Sequence, residues 1–220
     1  MRADFQLYVI TDRKLIRDGD LVGACETVLA TASEVVPRGA VAIQLREKDL
    51  DARPLYELAI ALRGVCSKYG APLLINERID VALAADADGV HLPFDSVGAN
   101  QARKLLGPNR LIGTSTHSPP DVAGAAREGA DFVVFGPVFD PISKIVATPA
   151  WGPSGLRAAC AAAQIPVFAL GGITPERTLQ LRDSPDPAER MAGVAAIGSI
   201  FQPNDIGAAT TAMLRALRRS

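Results

Sequence analysis

The stretch 40–77, "AVAIQLREKDLDARPLYELAIALRGVCSKYGAPLLINE", carries the fold in miniature. Residues 40–47 and 72–77 are short, mostly apolar runs suited to buried strands. Between them, in 54–70, Leu55, Leu58, Ala59, Leu62, Val65 and Cys66 recur at i, i+3, i+4 spacing, which predicts a helix with one apolar face. The same alternation continues outward in both directions. Further apolar runs stand at 5–12, 89–93, 110–116, 131–138, 166–173 and 193–200, so that eight candidate strands alternate with Ala/Leu/Arg-rich segments. Strands this uniformly apolar are covered on both faces. Eight β-then-α units in 220 residues predict a single (β/α)8 TIM barrel spanning 1–220 in preference to an open doubly wound sheet. Long loops are expected at 140–155 and 182–193, the first at a strand end.

Composition narrows the class. The chain is 48% hydrophobic and 21% charged, enough to bury a sizeable core. Its 23 basic and 24 acidic residues form no basic tract for a nucleic-acid surface. No run approaches the roughly 18 apolar residues of a membrane span, and "MRADFQLYVITD" lacks a signal peptide's apolar core, so a soluble cytoplasmic protein is expected, with a homo-oligomer possible. Cys25, Cys66 and Cys160 are odd in number, far apart and set in helix-like stretches, and read as reduced core residues.

In a barrel of this kind the working face lies at the carboxyl ends of the strands. Those ends supply Thr11 and Asp12; Gln44, Arg46, Glu47 and Lys48; Asn76 and Glu77; His91; Ser115, Thr116 and His117; Ser143 and Lys144; Gly171 and Gly172; Gly198 and Ser199. The turns "LGGIT" (170–174) and "IGSIF" (197–201) follow the last two strands, where backbone N–H groups commonly hold phosphate; each alone would equally serve as a tight turn. Arg46 and Lys48, joined by Lys144, suit a polyanion such as diphosphate. The competing account is a structural ion-pair network of these cations with Glu47 and Asp49. Two separated phosphate-binding regions imply two phosphorylated substrates.

The motifs "QLREKDL" (44–50), "LLINERIDVALAADADGVHLP" (73–93), "LIGTSTHS" (111–118), "GPVFDPISK" (136–144) and "VFALGGITPE" (167–176) resemble, in order and across roughly residues 5 to 201, the thiamine phosphate synthase family and its TenI-type thiazole tautomerase paralogue. The resemblance implies a transferase that joins hydroxymethylpyrimidine diphosphate to a thiazole phosphate, diphosphate leaving before the thiazole nitrogen captures the pyrimidine-methyl cation. Carried over residue by residue, Gln44, Leu45, Arg46, Glu47, Lys48, Asn76, Ser115 and Lys144 would bind the pyrimidine diphosphate. Pro141, Ile142, Ser143, Gly172, Ile197 and Gly198 would bind the thiazole phosphate. Arg46, Lys48, Ser115, Lys144 and His117 are the candidate catalytic residues.

The chain departs from the family pattern where magnesium is expected. The Asp that follows the third-strand Asn is here Glu77, and the second Asp aligns with Ser96, beside Asp95. Glu77, Asp95 and Ser96 are therefore the candidate magnesium site. Pro93-Phe94 replaces a Gly-Gln pair, and Pro141 replaces a hydroxyl residue. These changes keep the tautomerase alternative open, with His117 as proton shuttle, since that reaction needs neither diphosphate nor magnesium. The intact run Gln44 to Lys48 and Lys144 favour the synthase. A third reading is a non-catalytic regulator that binds a thiamine precursor.

Overall fold

The computed structural model describes residues 3–140 and 149–218. Its strands are β1 (Leu7–Ile10), β2 (Val41–Leu45), β3 (Leu73–Asn76), β4 (Gly89–Leu92), β5 (Leu111–Thr116), β6 (Phe132–Phe135), β7 (Val167–Ala169) and β8 (Gly193–Ala196). All pair in parallel with their sequence neighbours, and β8 pairs with β1 to close the barrel. Each expected apolar run thus contains one strand, and the (β/α)8 barrel is the observed architecture. The helices between and after them are α1 (Leu21–Val35), α2 (Ala52–Tyr69), α3 (Ile79–Ala84), α4 (Ala99–Leu106), α5 (Pro119–Arg127), α6 (Gly152–Ala162), α7 (Pro175–Leu181), α8 (Gly198–Phe201) and α9 (Ile206–Leu217). Among the described residues no helix is long and apolar enough to cross a membrane.

Two apolar layers follow from the strand alternation. Outward-facing residues such as Leu7, Val9, Ile43, Leu45 and Ile75 pack against helix residues including Cys25, Leu55, Leu62 and Cys66. Helix α2 buries Leu55, Ala59, Leu62 and Cys66, the face that its spacing marks as apolar. All three cysteines are buried and free, as expected, and burial pushes the Cys66 and Cys160 thiols up to about 12. Inward-facing Tyr8, Leu74, Leu111, Phe132 and Phe168, with Phe5 below them, fill the barrel. Phe132 meets Phe5, Tyr8 and Phe168 edge-on at centroid distances of 5.3, 5.4 and 5.5 Å. Gly113 makes room for it, because a Cβ there would lie 2.3 Å from the Phe132 ring.

The amino-terminal face is laced by one device used twice. Asp88, just before β4, accepts from the backbone N–H of Leu73 at 2.8 Å and pairs with Arg63 of α2. Asp131, just before β6, accepts from Ile112 N–H at 2.7 Å and pairs with Arg103 of α4 at 2.6 Å. Each carboxylate ties a helix to the start of a neighbouring strand, so this face serves stability.

One expected loop is shorter than its composition suggests. In 140–155, residues 152–155 already belong to α6. Pro153 sits in the first turn, where a missing N–H costs nothing, so "GPSG" opens a helix instead of delaying one.

Candidate functional site

The run Gln44 to Lys48 divides by direction. Gln44 points into the barrel and is buried, with its amide Nε2 unpartnered. Leu45 alternates outward into the layer beneath the helices and is fully buried there, so its side chain packs the core, which leaves its backbone for the substrate contact expected of it. Glu47 is also buried, and its carboxylate is committed to the protein. Thr11 Oγ1 donates to it at 2.8 Å, and Arg13 donates from its backbone N–H at 3.1 Å and its guanidinium at 3.1 Å. The Glu47 carboxylate therefore supports the strand end. Thr11 completes the clasp, its N–H donating to Gln44 O at 2.9 Å while its hydroxyl oxygen accepts from Arg46 N–H at 2.9 Å.

An ion-pair network does form here, but with other cations than expected. Arg13 grips Asp49 with both terminal nitrogens, at 2.6 and 3.0 Å, and Lys14 adds a contact at 2.9 Å. The Arg13 and Lys14 donors hold the Asp49 carboxyl well below the usual carboxylate range. Because Arg13 and Lys14 satisfy both carboxylates, Arg46 and Lys48 make no ion pair among the described residues. Arg46 is half-buried and Lys48 exposed. Reading the sequence placed Thr11 at the strand end but missed Arg13; the polar ending "ITDRK" of the first strand was the available signal.

Along the next strands the polar ends come together. Asn76 of β3 lies in register with His91 of β4, and His91 Nε2 is 3.0 Å from Ser115 Oγ of β5. Burial, aided by the nearby Arg46 charge, pushes His91 down to about 3, so its imidazole is neutral. Glu77 follows at a left-handed backbone position, φ 64°, where its N–H donates to His91 O at 2.8 Å. Arg78 N–H donates to Asn76 O at 2.7 Å, which closes a three-residue turn centred on Glu77. The Glu77 and Asp95 side chains are exposed and make no ion pair among the described residues. His117 is anchored by Nδ1 to Gly136 O at 2.7 Å, and its ring meets that of Phe94 at 5.3 Å.

The glycine turns sit beyond β7 and β8. None of the hydrogen bonds among the described residues uses the N–H of Gly171, Gly172, Gly198 or Ser199. Gly171 and Gly172 have φ values of 100° and 57°, and a Cβ on Gly172 would lie 2.6 Å from both Asp140 O and Arg177 Nη1. Arg177, unforeseen from the sequence, donates to Gly172 O at 2.6 Å and lies over the Phe139 ring at 4.7 Å. Ile197 packs against the barrel-interior cluster. The expected Pro141, Ile142, Ser143 and Lys144 lie outside the described residues.

The ordered strand-end motifs match the family model described as thiamine monophosphate synthase over residues 7–200. The chain belongs to that family. A thiamine-phosphate synthase of Caldanaerobacter subterraneus subsp. tengcongensis is 38% identical over 100% of this chain and 96% of its own length. One of Chloroflexus aurantiacus is 36% identical over 98% of this chain and 93% of its own. Among solved structures, a thiamine phosphate pyrophosphorylase of Pyrococcus furiosus superposes with a TM-score of 0.81 at 31% identity, covering 98% of this chain and 96% of that one. That solved relative shares the barrel over nearly the whole of both chains.

No group of three or more His, Cys, Asp or Glu side chains among the described residues forms a ready-made metal cage. Magnesium, however, is usually held by one or two carboxylates together with substrate phosphates and waters. Glu77 and Asp95, exposed and without an ion pair among the described residues, fit that pattern, with Ser96 beside them.

Proposed function

We propose that this chain is a thiamine-phosphate synthase, which joins hydroxymethylpyrimidine diphosphate to thiazole phosphate and releases diphosphate. The observation that carries the reading is the pairing of two anion-seeking regions on one face. Among the described residues Arg46 and Lys48 have no carboxylate partner, and the Gly171–Gly172 and Gly198–Ser199 turns offer unused N–H donors. One region takes the diphosphate and the other the single phosphate of the second substrate.

The chemistry asked of the residues is mainly electrostatic. As the bond between the pyrimidine methylene carbon and the diphosphate oxygen breaks, negative charge collects on the leaving group, and Arg46 and Lys48 are placed to stabilise it. Gln44, Asn76 and Ser115 hold the pyrimidine, and the glycine turns hold the thiazole phosphate so that its ring nitrogen faces the methylene carbon. By resemblance, Ser143 and Lys144, which follow β6 in the sequence, would add contacts. Glu77 and Asp95 would hold magnesium, which when bound neutralises diphosphate charge. The site is assembled for positioning, since its buried histidine is neutral and its buried carboxylate is tied down.

A tautomerase activity has one observation in its favour. The Nδ1 bond of His117 to Gly136 O leaves Nε2 of an exposed ring to relay protons. A coupled assay decides between the two. Thiamine phosphate formed from both synthase substrates, with turnover that rises with magnesium, supports the synthase. Isomerisation of the thiazole carboxylate phosphate, with no thiamine phosphate formed, would replace it with the tautomerase.

A further inference from the structure

His91 lies between the aromatic floor of the barrel and its polar mouth, 3% exposed, with its ring 5.7 Å from that of Tyr8 and 6.0 Å from that of Phe132. Its only side-chain hydrogen bond among the described residues is the 3.0 Å contact of Nε2 with Ser115 Oγ, and Nδ1 has no partner. We propose that His91 is a positioning residue: its Nε2–H donates to Ser115 Oγ, so that the Ser115 hydroxyl proton is turned toward a hydrogen-bond acceptor on the bound pyrimidine diphosphate. The proposal rests on Ser115 being a contact of that substrate.

The tautomer follows from the orphan nitrogen. One ring nitrogen of a neutral imidazole carries the proton and the other a lone pair. A buried N–H with no acceptor is the rarer and costlier state, whereas a buried acceptor with an unused lone pair is better tolerated. Among the described residues no acceptor lies within hydrogen-bond distance of Nδ1 to take a proton. The neighbouring Tyr8 ring carries a phenol that burial keeps protonated. The lone pair therefore belongs on Nδ1 and the proton on Nε2. A serine oxygen that accepts from Nε2–H cannot also direct its own proton back along that line. It has one proton left to give, and Ser115 is half-buried at the strand end facing the mouth. The substrate group that meets Ser115 must then be an acceptor, such as a ring nitrogen or a phosphate oxygen.

The chain has two histidines, which makes the test direct. In long-range ¹⁵N–¹H spectra of the full-length protein without substrates, His117 should show the Nδ1–H form dictated by Gly136 O, and His91 the opposite Nε2–H form. A His117→Ala variant assigns the signals. An Nδ1–H pattern at His91 would overturn the proposal, whatever the outcome of the activity assay. In turnover, His91→Leu should raise KM for the pyrimidine diphosphate several-fold, up to about tenfold for one hydrogen bond, and His91→Gln, which restores a donor near Nε2, should recover most of it. Adding Ser115→Ala to His91→Leu should cost little beyond Ser115→Ala alone. Independent, multiplying losses in a folded double variant would refute the coupling, and the wild-type spectrum stands as the test if His91→Leu does not fold.

Discussion

Replacing Glu77 by glycine should make the protein more stable and a poorer enzyme. Glu77 occupies a left-handed position, φ 64°, in a turn closed by two backbone hydrogen bonds that do not involve its side chain. A side chain in that conformation costs about 1–2 kcal/mol, which glycine avoids. Glycine returns part of the gain, about 0.5–1 kcal/mol, by loosening the unfolded chain. The Glu77 carboxylate is exposed and unpaired among the described residues, so its removal forfeits no packing or ion pair. The balance is a stabilisation of about 0.5–1 kcal/mol, or roughly 1–4 °C in Tm for a chain of this size. Equilibrium urea unfolding measures the first quantity and magnesium-titrated turnover the second, where loss of a metal-holding carboxylate should demand more magnesium for half-maximal rate. A Glu77→Gly protein that is less stable than the parent would refute the strain argument. One that keeps its full rate at every magnesium concentration would refute the metal role.

Gly172→Ala should destabilise the fold by about 2 kcal/mol or more in urea melts, because φ 57° is joined to a clash at 2.6 Å with the Asp140 carbonyl. Gly198→Val should instead fold normally, since the three atoms nearest to its Cβ all belong to the movable Gln202 side chain, the first at 2.9 Å, yet bind thiazole phosphate more weakly by calorimetry. Arg177→Met should lower thiazole phosphate affinity several-fold while leaving pyrimidine diphosphate affinity unchanged, since its guanidinium holds the Gly172 carbonyl. His91 titrates near 6.5 when unfolded and is pushed down to about 3 when folded, so between these values the unfolded chain binds more protons. Its contribution is complete above about pH 6.5 and is lost as pH falls toward 3; urea melts of wild type and His91→Gln should differ in slope by up to ~1.4 kcal/mol per pH unit in that window.

The barrel was legible because its signals are local. Eight apolar runs, and helix spacing such as that of Leu55, Leu62 and Cys66, each report on their own element. The site was less legible because its residues are sorted by partners distant in sequence. Nothing within "QLREKDL" reveals that Arg13, 34 residues earlier, claims Glu47, or that it also claims Asp49. Those contacts are what leave Arg46 and Lys48 without an ion pair among the described residues. Strand alternation alone does place the Leu45 side chain on the opposite face from that of Gln44. Arg177 escaped notice for a related reason: its role depends on a turn that folds back to bring Gly172 O within its reach.

The pairing of β8 with β1 sets a timetable for synthesis. Leu7 finds its partner Val194 only after nearly the whole barrel has been made, so β1 has one open side until translation passes Ala196. Every shorter nascent chain carries two exposed sheet edges, at β1 and at the newest strand, each a row of unpaired backbone groups able to recruit another chain. Release stalled before residue 193 would therefore yield a sticky fragment, whereas a few residues more let the last strand seal both edges in one step.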